Sequence, residues 1–274
     1  NTWSTNTDGL PEIGVSYIAI NPLNSQEMYI TTGDAHASDT YSIGILKSND
    51  GGQTWDTTGM QFGITDDKMV NKVIIHPTYT DSLFAVTDKN IKISSDGGQT
   101  WLNALTSSGS TIIGRFRDIE FKPNNPNILY AVKQTTGSSE VYKSTDRGLS
   151  WSSAMNGISL VNRNRPLLAV TPANPDVVYV LFCKNDYGFH GIYKSTDNAD
   201  SWTLQSDSPN ILGRGTDGTS TGGQSWYDLS LGVSTEDEDL LYVGGINLWR
   251  STDGGINWNI SGSSGNGSNY SYMH

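Results

Sequence analysis

Three loops carry most of the arginines in this acidic chain. IGRFRD (113–118), VNRNRP (161–166) and LGRGTDG (212–218) hold Arg115, Arg117, Arg163, Arg165 and Arg214, five of the seven arginines in 274 residues. A guanidinium is a flat fork of donors that grips a carboxylate or sulfate through two bonds at once, so a cluster on one face would form an anion site. The plainer reading is that each arginine pairs with a neighbour such as Asp118 or Asp217. A fourth segment, GTDGTSTGGQSWYDLSL (215–231), contains Trp226-Tyr227-Asp228 where other repeats begin their first strand. Alignment on the proline that ends each such strand sets Asp228 opposite Ser16, Asn71, Arg117 and Pro166. An aromatic pair beside a carboxylate suits a sugar platform with an acid or base next to it, since glycosidic cleavage runs on two carboxyl groups. It suits an ordinary contact between structural repeats equally well. Asp228 and Asp118, with Asp66 and Asp67 behind them, are the candidates for such chemistry. No spacing rule selects a pair, and the catalytic residues stay unassigned.

Two further loops are rich in donors for a cation. GDAHASDTY (33–41) offers Asp34, His36 and Asp39, and KNDYGFH (184–190) offers Asp186 and His190. Neither has the fixed spacing of a known site, and hard oxygen donors suit Ca²⁺ better than Zn²⁺. The expectation is therefore no cofactor, with Ca²⁺ the one ion these loops would take. Cys183, the single cysteine, sits in the apolar run VVYVLFCK and reads as a buried, inert thiol. One cysteine allows no internal disulfide and no thiolate metal cluster.

Composition narrows the partners. The formal charge of −11 opposes general nucleic-acid binding, where neutralising phosphates dominates affinity. No polybasic patch points to a membrane surface, and no run approaches the roughly 20 apolar residues of a membrane span. With 16% charged residues and 30 glycines, the chain reads as all-β with many turns.

The elements that must position these loops come from a repeat. SNDGGQTW (48–55) recurs as SSDGGQTW (94–101), STDRGLSW (144–151), STDNADSW (195–202) and STDGGINW (251–258). Each octet is preceded by two apolar runs, as in DIEFKPNNPNILYAV (118–132), and by a short strand such as EVYKST. The pattern predicts four antiparallel strands per unit, with alternating residues marking half-buried strands and P-x-N-P segments marking turns. Four strands every ~50 residues are the blade of a β-propeller, whose sheets pack face to face.

The octet S-x-D-x-G-x-T-W resembles the Asp box, or BNR repeat, of sialidases, several glycoside hydrolases, sortilin-type receptor domains and photosystem assembly factors. The resemblance implies a propeller with five complete blades, at approximately 14–61, 62–107, 108–157, 158–209 and 210–263. Residues 1–13, with Trp3, read as the end of a preceding blade and residues 264–274, with His274, as the start of a following one. At least one blade is thus incomplete, and the chain is expected to be a fragment.

In the box, Asp50, Asp96, Asp146, Asp197 and Asp253 are expected to accept the amides of their own turn, while Gly52, Gly98, Gly148 and Gly255 supply positive φ. Ser48, Ser94, Ser144, Ser195 and Ser251 tie the hairpin, and Trp55, Trp101, Trp151, Trp202 and Trp258 pack between blades. Ala199 stands in place of the glycine in the fourth copy, so that turn should be strained or differently shaped. These residues read as structural, because five equivalent carboxylates cannot form one active site.

The resemblance leaves function to the variable loops of the other face. Two readings stay open. The first is a secreted or cell-surface recognition scaffold, bacterial in look, that holds a polysaccharide, protein or peptide on Arg115, Arg117, Arg163, Arg165, Arg214, Trp226 and Tyr227. The alternative is an extracellular glycoside hydrolase with a carboxylate pair at the channel mouth. A sialidase fits less well, because RFRD and RNRP are not its R-I-P motif. A passive structural module also fits less well. The remaining blades of a longer polypeptide are the other expected partner.

Overall fold

The computed structural model describes residues 9–11, 14–35 and 40–263. Trp3, His36, Asp39, His274 and the expected partial blades at 1–8, 12–13 and 264–274 lie outside the described residues. Among the described residues there is no helix, and five sheets account for the regular structure.

The first sheet is β1 (Val15–Ile20), β2 (Met28–Thr32), β3 (Gly44–Ser48) and β4 (Asp56–Gln61), in chain order. The second is β5 (Val70–Ile75), β6 (Leu83–Thr87), β7 (Ile91–Ser94) and β8 (Leu102–Asn103). The third is built from β9 (Leu105–Thr106), β10 (Arg115–Phe121), β11 (Leu129–Gln134), β12 (Glu140–Ser144) and β13 (Ser150–Ser153). The fourth is β14 (Pro166–Val170), β15 (Val178–Cys183), β16 (Phe189–Ser195) and β17 (Thr203–Ser206). The fifth is β18 (Ser230–Val233), β19 (Leu241–Gly244), β20 (Asn247–Ser251) and β21 (Asn259–Ser263). The fold class is therefore all-β, built on the four-stranded antiparallel blade. One strand departs from the pattern: β9, numbered with the second repeat, pairs in parallel with β13 through Leu105 and Ser150.

The chain divides into two compact units, residues 1–119 with 146–151 and residues 120–145 with 152–274. In the first, Tyr29, Ile45, Val73, Leu83 and Ala85 form the core. In the second, one cluster gathers around Tyr130, Val180 and Trp202 and another around Tyr179, Leu181 and Trp249. The expectation of half-buried strands fails for the middle of the blades. β6 and β15, the second strands of their sheets, are buried at every position, because a sheet covered on both faces needs apolar residues on both. Alternation survives in β4, an outer strand.

The octets are hydrogen-bonded turns. Asp50 Oδ1 accepts the Thr54 amide at 2.9 Å and its Oδ2 accepts the Thr54 hydroxyl at 2.6 Å. Ser48 Oγ donates to Asp50 Oδ1 at 2.8 Å and accepts the Gly52 amide at 2.8 Å. The serine bonds and the amide bond recur at Ser94 and Asp96, Ser195 and Asp197, and Ser251 and Asp253, with the Asn257 side-chain amide in place of the hydroxyl in the fifth copy. Asp146 holds the amide and hydroxyl of Ser150. Bonds to the ionised form, led by those from the following Thr, hold Asp50 and Asp96 at about 2, below the ordinary carboxylate value. Two consecutive residues take positive φ in every box, and Asn198 and Ala199 adopt the same shape as the glycine pairs, at 62° and 65°. The fourth turn is thus strained but not differently shaped, because the Ala199 amide still reaches Ser195 Oγ at 2.8 Å.

Successive repeats are stitched by these turns. Within the first unit the Gly59 amide donates to Gly98 O at 2.7 Å, and a Cβ at Gly59 would lie 1.9 Å from Gln99 O, so no other residue fits there. The buried Tyr29 hydroxyl donates to Gly97 O at 3.1 Å, and Lys47 pairs with Glu27 beside it. Within the second unit, Lys194 pairs with Asp239 at 2.7 Å, and Tyr179 donates to Glu238 O. The tryptophans divide the work. Trp202 and Trp258 donate to Ala154 O and Ser206 Oγ of the preceding repeat, whereas Trp101 and Trp151 donate within their own turns.

Candidate functional site

The aromatic pair sits on a turn of the second unit that is built from its backbone outward. The amides of Tyr227 and Asp228 both donate to Gln224 O, at 2.8 and 3.0 Å, and Ser225 Oγ donates to Tyr187 O at 2.6 Å. Beneath the turn lies Arg165, whose residue is only 3% exposed. Its Nη1 donates to Ser225 O at 3.1 Å and to Trp226 O at 2.5 Å. The loop leading in is gathered by Asn210, whose Oδ1 accepts the Phe189 amide while Nδ2 donates to Ser220 O and Gly222 O. On this support Trp226 and Tyr227 are each 43% exposed, with ring centroids 5.6 Å apart and planes at 45°. They form an angled apolar surface able to stack on a sugar ring.

Asp228 follows the pair directly, but its register differs from the expected one. The closing bond of the first turn runs from Asn21 to Glu27 O, from His76 to Ser82 O, from Lys122 to Ile128 O and from Ser234 to Leu240 O. Counting back from these positions places Leu229, not Asp228, opposite Ser16, Asn71, Arg117 and Pro166. Asp228 therefore belongs to the turn before β18. The shift arises because the fifth repeat reads Ser234-Thr235 where the others have a proline, so the aligning landmark is missing. In a strand a slip of one residue exchanges the faces, so Asp228 and Leu229 trade roles; Leu229 packs on the core.

Three of the arginines, Arg117, Arg163 and Arg165, donate to backbone carbonyls. Arg163, 2% exposed, donates through Nε to Ser139 O at 2.8 Å and also reaches Ser159 O. Arg117, in the first unit, donates to Ala35 O at 2.5 Å. Arg115 is half-buried and faces the field of Asp88, and burial pulls its pKa down. Arg214 is exposed, but Asp217 turns its carboxylate to the amide and hydroxyl of Thr219. Asp118 is in an ion pair whose partner is a lysine. It is buried, bonded to Lys72 Nζ at 2.7 Å and to the Ile119 amide at 2.9 Å. A carboxylate so engaged is a structural ion pair, not one placed to move a proton to a substrate. Asp66 accepts the Gly63 amide at 3.0 Å, and its neighbour Asp67 takes positive φ.

Among the described residues no group of three or more His, Cys, Asp or Glu could hold a metal. Asp34 is described but its proposed co-ligands are not, and His190 Nε2 is engaged with Val161 O. Asp186 accepts the Gly188 amide. Cys183 is buried, and burial raises its thiol pKa, so it stays protonated and inert. The supporting residues Asn210 and Ser225 were not foreseen. The signal for them was the glycine-rich loop itself, whose exposed amides and carbonyls need side-chain partners.

The model of the sortilin (neurotensin receptor 3, Vps10) family matches residues 89–213. A xyloglucanase of a Paenibacillus species is 22% identical over 89% of this chain and 26% of its own length. A xyloglucanase of Acetivibrio thermocellus is 23% identical over 89% of this chain and 32% of its own. The crystal structure of the GH74 xyloglucanase from Xanthomonas campestris superposes with a TM-score of 0.65, at 17% identity, over 93% of this chain and 39% of that one. The chain therefore spans about a quarter to a third of the curated relatives it matches. These likenesses bear out the resemblance to the Asp-box propellers and the blade architecture.

Proposed function

We propose that the chain is part of an extracellular bacterial glycoside hydrolase acting on a xyloglucan-type polysaccharide, and that Trp226 and Tyr227 form a sugar-binding surface. The observation that carries this reading is the exposed aromatic pair, held rigid from below by Arg165 and followed by Asp228. The xyloglucanase relatives support it. Rigid stacking surfaces gain affinity because little side-chain freedom is lost when a sugar lies on them. Asp228 is the carboxylate beside the platform and is proposed as one of the two groups that cleavage needs. The buried Asp118 is not proposed as its partner. Among the described residues no helix is long and apolar enough to cross a membrane.

The test is release of reducing sugar from xyloglucan by the full-length protein. Asp228→Asn is expected to remove turnover while retaining binding, and Trp226→Ala with Tyr227→Ala to raise KM. Binding with no turnover in the parent would favour the recognition scaffold, for which the sortilin-family match over 89–213 is the specific support.

A further inference from the structure

A cavity of about 650 Å³ lies in the first unit, where the second repeat meets the third octet. It exists because this junction breaks the pattern of the others. The tyrosine of the second strand, buried as Tyr29, Tyr130 and Tyr179, is replaced by Phe84, and the lysine before the octet, Lys47, Lys143 and Lys194 elsewhere, by Ile93. The floor has thus lost both polar groups. On the octet itself, Arg147 stands where the other copies have Gly51, Gly97, Asn198 and Gly254, and Leu149 where two have Gln53 and Gln99.

Each lining group has a definite state. Arg147 holds φ at +62°, a left-handed conformation unfavourable for a residue with a Cβ. Its guanidinium is exposed, and among the described residues it makes no ion pair or hydrogen bond. Asp81, the carboxylate of the same wall, is turned elsewhere: its Oδ1 and Lys47 Nζ both lie about the Gly97 turn, 3.4 and 3.5 Å from where a Cβ would stand. His76 Nδ1 accepts the amides of Thr78 and Tyr79, so the neutral ring carries its proton on Nε2. Burial, reinforced by Arg147, holds His76 below its ordinary pKa. Tyr79 lies 5.1 Å from the His76 ring and is 64% exposed, and Leu149 is 57% exposed. The wall therefore has one uncompensated cation among apolar and aromatic surfaces.

We infer that this cavity binds a small carboxylate carried on an apolar, preferably aromatic, body. The carboxylate pairs with Arg147 in the forked geometry a guanidinium favours, and the body lies over Phe84 and Ile93 between Tyr79 and Leu149. The site is separate from the aromatic platform and does not depend on the hydrolase reading.

The probe is 3-phenylpropanoate, titrated into the full-length protein by calorimetry and by NMR, with 3-phenylpropanol and propanoate as controls. A dissociation constant on the order of 100 µM is expected, with shifts at Tyr79 and Leu149 and at least about tenfold weaker binding of both controls. Arg147→Gly installs the residue three other octets already carry, so it should fold with an unchanged or higher melting temperature while losing about tenfold in affinity. Leu149→Gln, also drawn from the chain's own octets, should weaken binding with the fold intact. Equal binding of the alcohol, unchanged affinity in Arg147→Gly, shifts away from Tyr79 and Leu149, or no binding by roughly 10 mM would each overturn the inference.

Discussion

Arg165 and Trp226 are joined by a bond that runs from a buried guanidinium to the carbonyl of an exposed aromatic residue, at 2.5 Å. The charge belongs to the foundation of the platform and not to its surface. Arg165→Ala would leave the Ser225 and Trp226 carbonyls without a donor. A buried polar group so stranded costs about 1–3 kcal/mol, so a loss of about 3 kcal/mol is expected. Urea midpoints measure it, and hydrogen exchange should rise at 224–228. Arg165→Lys, lacking the fork, should recover only part.

Trp226→Ala and Tyr227→Ala should leave the melting temperature within a degree or two of the parent, since each ring is largely outside the core. Polysaccharide affinity should fall about tenfold for each. Affinity electrophoresis in xyloglucan gels reads this directly. An unaltered mobility shift in the double variant would remove the platform from the binding surface.

Lys72→Met should destabilise the first unit by about 3–5 kcal/mol, because it leaves Asp118 charged and buried without its ammonium. Adding Asp118→Leu should restore most of that loss, since an apolar pair of similar volume can replace a buried ion pair. Chemical denaturation of the single and double variants checks both halves. Retained turnover in Asp118→Leu/Lys72→Met would agree with a structural role for this carboxylate.

Asp50 and Asp96 supply an acid-dependent part of stability. Their folded values near 2 lie below the ordinary 3.8, so their contribution is complete above about pH 4 and is lost as the pH falls through 2. Both are solvent-facing, which keeps the effect modest. Asp50→Asn with Asp96→Asn should flatten the dependence of the melting temperature on pH between these limits. An identical slope in the double variant would contradict the assignment.

Gly148→Ala should cost about 3 kcal/mol, combining positive φ with overpacking. A Cβ there would lie 2.4 Å from Phe84 Cε1, whereas the equivalent Ala199 is accommodated. In a Phe84→Ala background the packing share of the loss should vanish, and a double-mutant cycle in urea isolates it.

Five octets in register made the blade legible, because a hydrogen-bonded turn is a local device written in consecutive residues. The conformation of Ala199 was half legible: the missing glycine announced strain, but the Ser195 bond that keeps the shape did not show in the letters. The carbonyl partners of Arg117, Arg163 and Arg165 were not legible. A guanidinium satisfies carbonyls as readily as carboxylates, and which carbonyls a loop exposes is settled only by folding. Asp228 was placed one residue out because Ser234-Thr235 lacks the proline that marks the turn elsewhere. Lys72 and Asp118, 46 residues apart, meet only through the stacking of repeats.

The octet turns also bear on chemical ageing. An aspartate followed by glycine is prone to cyclise and isomerise, since the small neighbour lets its amide nitrogen attack the side chain. Asp50-Gly51, Asp96-Gly97 and Asp253-Gly254 would be three such lesions waiting in an unfolded chain. In the fold each carboxylate is held by the residue four positions on, and each glycine amide is engaged by the carbonyl of Gln26, Asp81 or Asp239 at 2.9 Å. In these three copies the motif that closes the hairpin thereby shields its own weakest peptide linkage.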